Sequence, residues 1–119
     1  MKDITDKQDV ALLVDQFYSK VLKDDLLARH FSHINFEEHK PRMIHFWSFV
    51  LLGETGYTTD VFQKHKQLEI DQRHFDRWLA LFNETLDELF SGEKANEARL
   101  RAKTIGWTFS AKLKQLKGE

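Results

Sequence analysis

Residues 37–47 read Glu-Glu-His-Lys-Pro-Arg-Met-Ile-His-Phe-Trp, with two histidines six apart beside an aromatic pair. A helix here would send the two imidazoles in different directions. At about 100° per residue, with His39 as the origin, Met43 falls at about 40°, Phe46 at about -20°, Trp47 at about 80° and Val50 at about 20°. His39 therefore heads an apolar face, whereas His45, at about -120°, points away from it. Asn35 with Glu38 can cap this helix, and Gly53 stops it after Leu52. Pro41 is a local conflict, because it lacks the amide that should reach the carbonyl of Glu37. Either the helix starts later than Asn35 or its first turn is bent; the bent turn is the preferred reading.

The flanking chain is also helical. Thr5 with Gln8 can form a capping box at the head of a helix over residues 5–23. Along it Val10, Leu13, Val14, Phe17, Tyr18 and Val21 recur at helical spacing. Asp24-Asp25 interrupts the pattern, and a short turn carries Leu26, Leu27 and Phe31 into a corner at 32–35. Residues 53–64 contain Gly53, Gly56, Thr58, Thr59 and Asp60 and read as loop, with a short turn around Phe62 and His65. Asp71 can cap a helix to Phe90 whose stripe is Phe75, Trp78, Leu79, Phe82, Leu86 and Leu89. Ser91-Gly92 ends it, and a last helix over 94–116 carries Ala98, Ala102, Ile105, Phe109, Leu113 and Leu116. Four substantial helices and two short ones predict one all-α domain over residues 1–119.

Composition limits what such a domain does. Ten Phe and three Trp make a core rich in flat side chains, and 41% hydrophobic content excludes a disordered chain. Eighteen basic residues against nineteen acidic ones, with the signs mixed along the chain, give no case for nucleic acid or an anionic membrane. The absence of cysteine removes disulfides, thiolate nucleophiles, iron–sulfur ligation and cysteine-ligated haem. The polar N-terminus has no apolar targeting core, and the apolar run at 46–52 is too short to span a bilayer. A cytoplasmic location is the expectation.

The residues that could carry chemistry have ordinary readings as well. An inward histidine near a helix start, such as His39, is more often a boundary residue with a satisfied ring hydrogen bond. Tyr18 beside Phe17 more often anchors packing, while Trp78 needs a partner for its indole N–H if buried. His65, between Lys64 and Lys66, would pass as exposed by composition, although histidine is a common axial ligand of haem iron. His30 and His33 flank Phe31 at a corner, where metal spacing is usually coincidence. His74 opens its helix and is expected in a cap or surface interaction. Only one loose acidic-x-x-His, Asp71 with His74, is present, so a di-iron carboxylate site lacks its second half. No His-Glu-x-x-His, glycine-rich phosphate loop or nucleophile elbow occurs.

Taken in order, several motifs resemble the truncated haemoglobins, most closely their third group, over essentially the whole chain. They are Phe17-Tyr18 with Lys20-Val21-Leu22, Glu38-His39-Lys40, Phe46-Trp47, Leu51-Leu52-Gly53-Glu54, Tyr57 with Lys64-His65, and Phe75-x-x-Trp78-Leu79-x-Leu81-Phe82. The lack of any Gly-Gly pair also suits that group. The resemblance implies a shortened globin, two helices stacked over two around haem b (iron protoporphyrin IX). It makes His65 the proximal iron ligand and places Tyr18, His39 and Trp78 as polar residues on the ligand side. Met43, Phe46, Trp47 and Phe82 would line or wall the haem cavity, with Phe31 at the haem edge. It further implies reversible binding of dioxygen, nitric oxide or a related diatomic ligand, with oxygen/nitric-oxide or peroxide chemistry supported by a reductase. A haem-based ligand sensor and a haem-free helical interaction domain are the competing readings.

Overall fold

Asp6, rather than Thr5, starts the first helix in the computed structural model, which describes residues 1–31, 36–53 and 72–116, without the side chains of 30, 31, 36, 109, 110 and 112–116. Asp6 is extended, and its carboxylate accepts from the Asp9 amide at 3.0 Å. Asp9 in turn accepts from the Thr5 amide and hydroxyl, both at 2.9 Å. The N-cap bond of a capping box forms one residue later than expected, while the Asp9 carboxylate reaches back past the N-cap to Thr5 instead of to the N-cap amide.

Helix α1 spans Lys7–Lys23, α2 Ala28–Phe31, α3 Phe36–Leu52, α4 Gln72–Leu89 and α5 Glu93–Leu116. The expected caps Asn35 and Asp71 lie outside the described residues. At the end of α1, Asp24 accepts from the amides of Leu26 and Leu27 and takes the Arg77 Nε at 2.6 Å. One carboxylate thus orders the α1–α2 turn and ties it to α4. Helix α3 is continuous through Pro41, which lies on its exposed side.

The four long helices close a ring: α1 packs on α3 and α4, α4 on α5, and α5 on α3. Val10, Leu13, Val14, Phe17 and Val21 of α1 meet Trp47 and Leu51 of α3 and Phe82 and Leu86 of α4 in the core. Among the described residues, the fully buried hydrophobic side chains of helix α5 are small, Ala95, Ala98 and Ala102, with half-buried Ile105 packed against the core beside them, so its backbone can come close to its neighbours. Among the described residues, no helix is long and apolar enough to cross a membrane.

The α4–α5 corner is held from a distance. The carbonyl of Lys2 accepts from the Ser91 amide at 3.0 Å, and the Asp3 carboxylate accepts from the amides of Lys94 and Ala95 at 2.9 and 3.0 Å. Asp3 therefore caps α5, satisfying first-turn amides that have no partner within the helix. Gly92 at φ 140° passes directly beneath it, and a Cβ there would sit 2.5 Å from Asp3 Cγ. Gly92→Ala should destabilise the fold by about 1–3 kcal/mol, from left-handed backbone strain plus displacement of Asp3. Asp3→Asn, which keeps the shape but loses the charge at the helix start, should cost about 1 kcal/mol or less. Urea midpoints order the two variants, and a Gly92→Ala midpoint equal to wild type would contradict the close approach.

The same contacts fix the acid response. Burial raises the pKa of Asp3, but the amides of Lys94, Ile4 and Ala95 outweigh it and hold the carboxyl below its ordinary 3.8. For Asp9 the opposing groups are Lys2 and Thr5, and for Asp24 they are Arg77 and the amides of Leu27 and Leu26; both end below the ordinary value. A lowered carboxylate contributes stability that is complete above about pH 4 and disappears as pH falls through the folded-state value. Stability should be level near neutrality and fall in acid, with a shallower fall in Asp3→Asn, read from urea unfolding at successive pH values.

Candidate functional site

Tyr18 is 3% exposed on α1, its ring tilted against Phe17 at 5.0 Å and edge-on to His39 of α3 at 5.6 Å. Phe17 is the hub. It meets Trp78 of α4 at 5.5 Å and Phe82 at 5.2 Å, both edge-to-face. Phe82 is flanked by two indoles, Trp47 at 4.9 Å and Trp78 at 5.7 Å, with planes 23° and 12° from its own. Phe46 then stands edge-on to Trp47 at 5.2 Å. Such edge and offset contacts are the favoured aromatic geometries and lock the rotamers of the rings that make them. One aromatic chain therefore joins Tyr18, His39, Trp78, Phe82, Trp47 and Phe46 across three helices. Phe17 was not among the expected site residues, although its place next to Tyr18 on the α1 stripe was visible.

The α3 face departs from the angular reading. Trp47 (2% exposed), Ser48 and Leu51 form its most buried side, while His39, Met43, Phe46 and Val50 are half-buried. The helix carries two apolar arcs about a quarter-turn apart. The Trp47 arc packs into the ring of helices; the arc headed by His39 borders it, with Met43, Phe46 and Val50 resting on the core. On α4, Trp78 and Leu79 are similarly half-buried and packed against the core. Trp47 and Phe82 thus sit behind the half-buried residues as a wall.

His45 is half-buried. His74 is 5% exposed, which overturns the surface half of the expected cap or surface interaction. The physical reason lies in its own helix: Trp78 and Leu81 follow it at i+4 and i+7, so it shares their buried face. That spacing was the signal missed. His65 and His33 lie outside the described residues, as do the side chains of His30 and Phe31. Among the described residues no three His, Cys, Asp or Glu groups gather to hold a metal ion.

The electrostatics favour hydrogen-bond donation from the phenol. Burial pushes the Tyr18 pKa well above its ordinary 10.0, so the hydroxyl keeps its proton throughout the neutral range. Lys40, next to His39, pairs with Asp15 of α1 at 2.6 Å. That exposed pair stabilises little but sets α3 against α1 beside the Tyr18–His39 contact.

The Bacterial-like globin family profile matches residues 2–105. A group 3 truncated hemoglobin of Campylobacter jejuni is 34% identical over 110 residues, 87% of each chain. A group 1 truncated hemoglobin of Tetrahymena thermophila is 31% identical over 77 residues, 64% of each chain. The crystal structure of a group III truncated hemoglobin from Campylobacter jejuni superposes with a TM-score of 0.86 at 33% identity, covering 95% of both chains. The helical ring is the shortened two-over-two globin fold. The chain belongs to the group III truncated haemoglobin family.

Proposed function

We propose that the protein holds haem b through His65 and binds dioxygen or a related diatomic ligand on the side of Tyr18, His39 and Trp78. The observation that carries this reading is the buried Tyr18 phenol set edge-on to His39 at 5.6 Å, beside a half-buried apolar border. The described residues fit a planar apolar group: Met43, Phe46 and Val50 from α3 and Trp78 and Leu79 from α4 offer it apolar surface packed on the core. Family membership supports the same reading, since the relatives named above are hemoglobins. Bound haem supplies the iron at which the diatomic ligand is held.

The chain's own residues then decide which ligand is favoured. The Tyr18 hydroxyl and Trp78 indole donate hydrogen bonds, which stabilise a ligand carrying partial negative charge and do less for carbon monoxide. His39 can donate beside them or swing at the entrance near Pro41. Trp47 and Phe82 exclude water behind these donors, where a hydrogen bond is stronger than in solvent. Such a pocket suits slow release and oxidative chemistry more than bulk transport. The conversion of nitric oxide and dioxygen to nitrate consumes one electron, so it needs a reductase.

An intense Soret band in the purified protein tests the haem reading, and a colourless protein that refuses added haem would leave the helical interaction domain in its place. With ferrous haem present, nitrate should form from nitric oxide and dioxygen in up to one equivalent per haem, and further turnover should require a reductase. Nitric oxide consumption without nitrate would exclude the dioxygenation chemistry and leave a binder.

A further inference from the structure

The near balance of charge conceals a segregation. Residues 99–117 hold six basic side chains and no acidic one, leaving twelve basic against nineteen acidic elsewhere, a net -7. The mixing of signs read from the sequence therefore ends at Ala98. On α5 the buried side is small, Ala95, Ala98 and Ala102, while the opposite side presents Leu100 at 65% and Trp107 at 73% exposure. Seven residues apart, these two lie on one line, two helical turns from each other. Between them Thr104 turns its hydroxyl back to the Leu100 carbonyl at 3.1 Å, so that hydroxyl's hydrogen bond is spent within the helix. Arg101 and Lys103 stand exposed on either side of the line. Lys2, Lys20, Lys40, Arg77, Lys94 and Arg99 all pair with carboxylates, whereas Arg101 and Lys103 have no ion pair among the described residues.

We propose that this outer face of α5, Leu100, Thr104 and Trp107 between Arg101 and Lys103, docks an acidic electron-donor protein. An exposed Trp and an exposed Arg on the same helix face are residue types enriched in interface anchors, and a few such residues supply most of the affinity of a small interface. Cations around the apolar line steer an acidic partner into place, as suits a transient encounter. The same cations oppose two-fold pairing of this face with itself, since like charges would meet. A bilayer gains less here, because one indole, one leucine and two free cations must hold a body whose remainder is net acidic. That the partner delivers electrons rests on the haem reading above; the docking itself does not.

Calorimetric titration with a purified flavodoxin, an acidic electron carrier, tests the proposal, while absorbance records haem content independently of the heat of docking. Saturable binding is expected, weakening as salt rises. The exposed-site variants Trp107→Ala and Arg101→Glu/Lys103→Glu should each bind about tenfold or more weakly, with unchanged thermal unfolding. Three results would overturn it: no saturable binding of flavodoxin, equal binding by the charge-reversed variant, or sedimentation showing self-association that Trp107→Ala abolishes. Binding of phosphatidylglycerol vesicles in place of flavodoxin would also overturn it, in favour of a lipid surface. A colourless protein that still docks flavodoxin would refute the haem reading and keep the docking face.

Discussion

Replacing His65 with alanine should leave a protein that no longer retains haem tightly, or one whose haem is restored by added imidazole. A neutral imidazole nitrogen is the axial donor that histidine offers haem iron, and the chain has no cysteine to substitute for it. The second ring nitrogen needs an acceptor to fix its tautomer, so a loose His65 would bind less well than a held one. Haem that binds the folded chain also stabilises it by linkage, and the variant should therefore unfold at lower temperature in the presence of haem. An unchanged ferrous spectrum in His65→Ala would move the ligand elsewhere. His39→Ala is the paired control and should keep its haem, because the proposed function places His39, in ring contact with Tyr18, on the ligand side. Variants at His30, His33, His45 and His74 should bind haem at wild-type stoichiometry. His74 is the most demanding of these controls, since its burial means that alanine also removes core packing.

Tyr18→Phe should speed oxygen dissociation by roughly 10- to 100-fold. A hydrogen bond to a charged acceptor is worth roughly 1.5–3 kcal/mol, and about 1.4 kcal/mol is a factor of ten. The phenol keeps its proton at neutral pH because burial raises its pKa, so the donor is present whenever a ligand binds. Carbon monoxide release should change much less. Trp78→Phe should act in the same direction, and the double variant should be non-additive if phenol and indole address one ligand. The aromatic chain makes coupling expected on structural grounds too, because Phe17 touches both rings. Stopped-flow oxygen release is the measurement. Equal rates for wild type and Tyr18→Phe would assign control of the ligand to His39 or Trp78.

Much of the helical scaffold was legible because its signal is local. Val10, Leu13, Val14, Phe17 and Val21 mark the buried side of α1 by spacing alone, and Phe82 and Leu86 do so on α4. Helix α3 was harder, since an angular plot shows that two apolar arcs exist but not which one meets other helices. His74 was misplaced for a different reason: its position in a first turn suggested a cap, while its i+4 and i+7 neighbours argued for the core. The meeting of Tyr18 and Trp78 on Phe17, with His39 against Tyr18, depends on three helices packing, which no single stripe encodes. The role of His65 still comes from resemblance, and the two variants above are its direct tests.

The cap on α5 has a consequence for how the chain is made. Asp3 emerges from the ribosome 91 residues ahead of Lys94, whose amide it must receive. At roughly 5–20 residues per second, that is a wait of about 5–20 s. Throughout it Ile4, fully buried in the finished protein, lacks the α5 corner that its neighbour caps. Residues 2–5 are thus fixed only after residues 94 and 95 have been made, and the α5 corner is closed late relative to α1. Nascent chains halted before Ala95 should expose residues 2–5 to proteolysis, whereas chains released at full length should protect them.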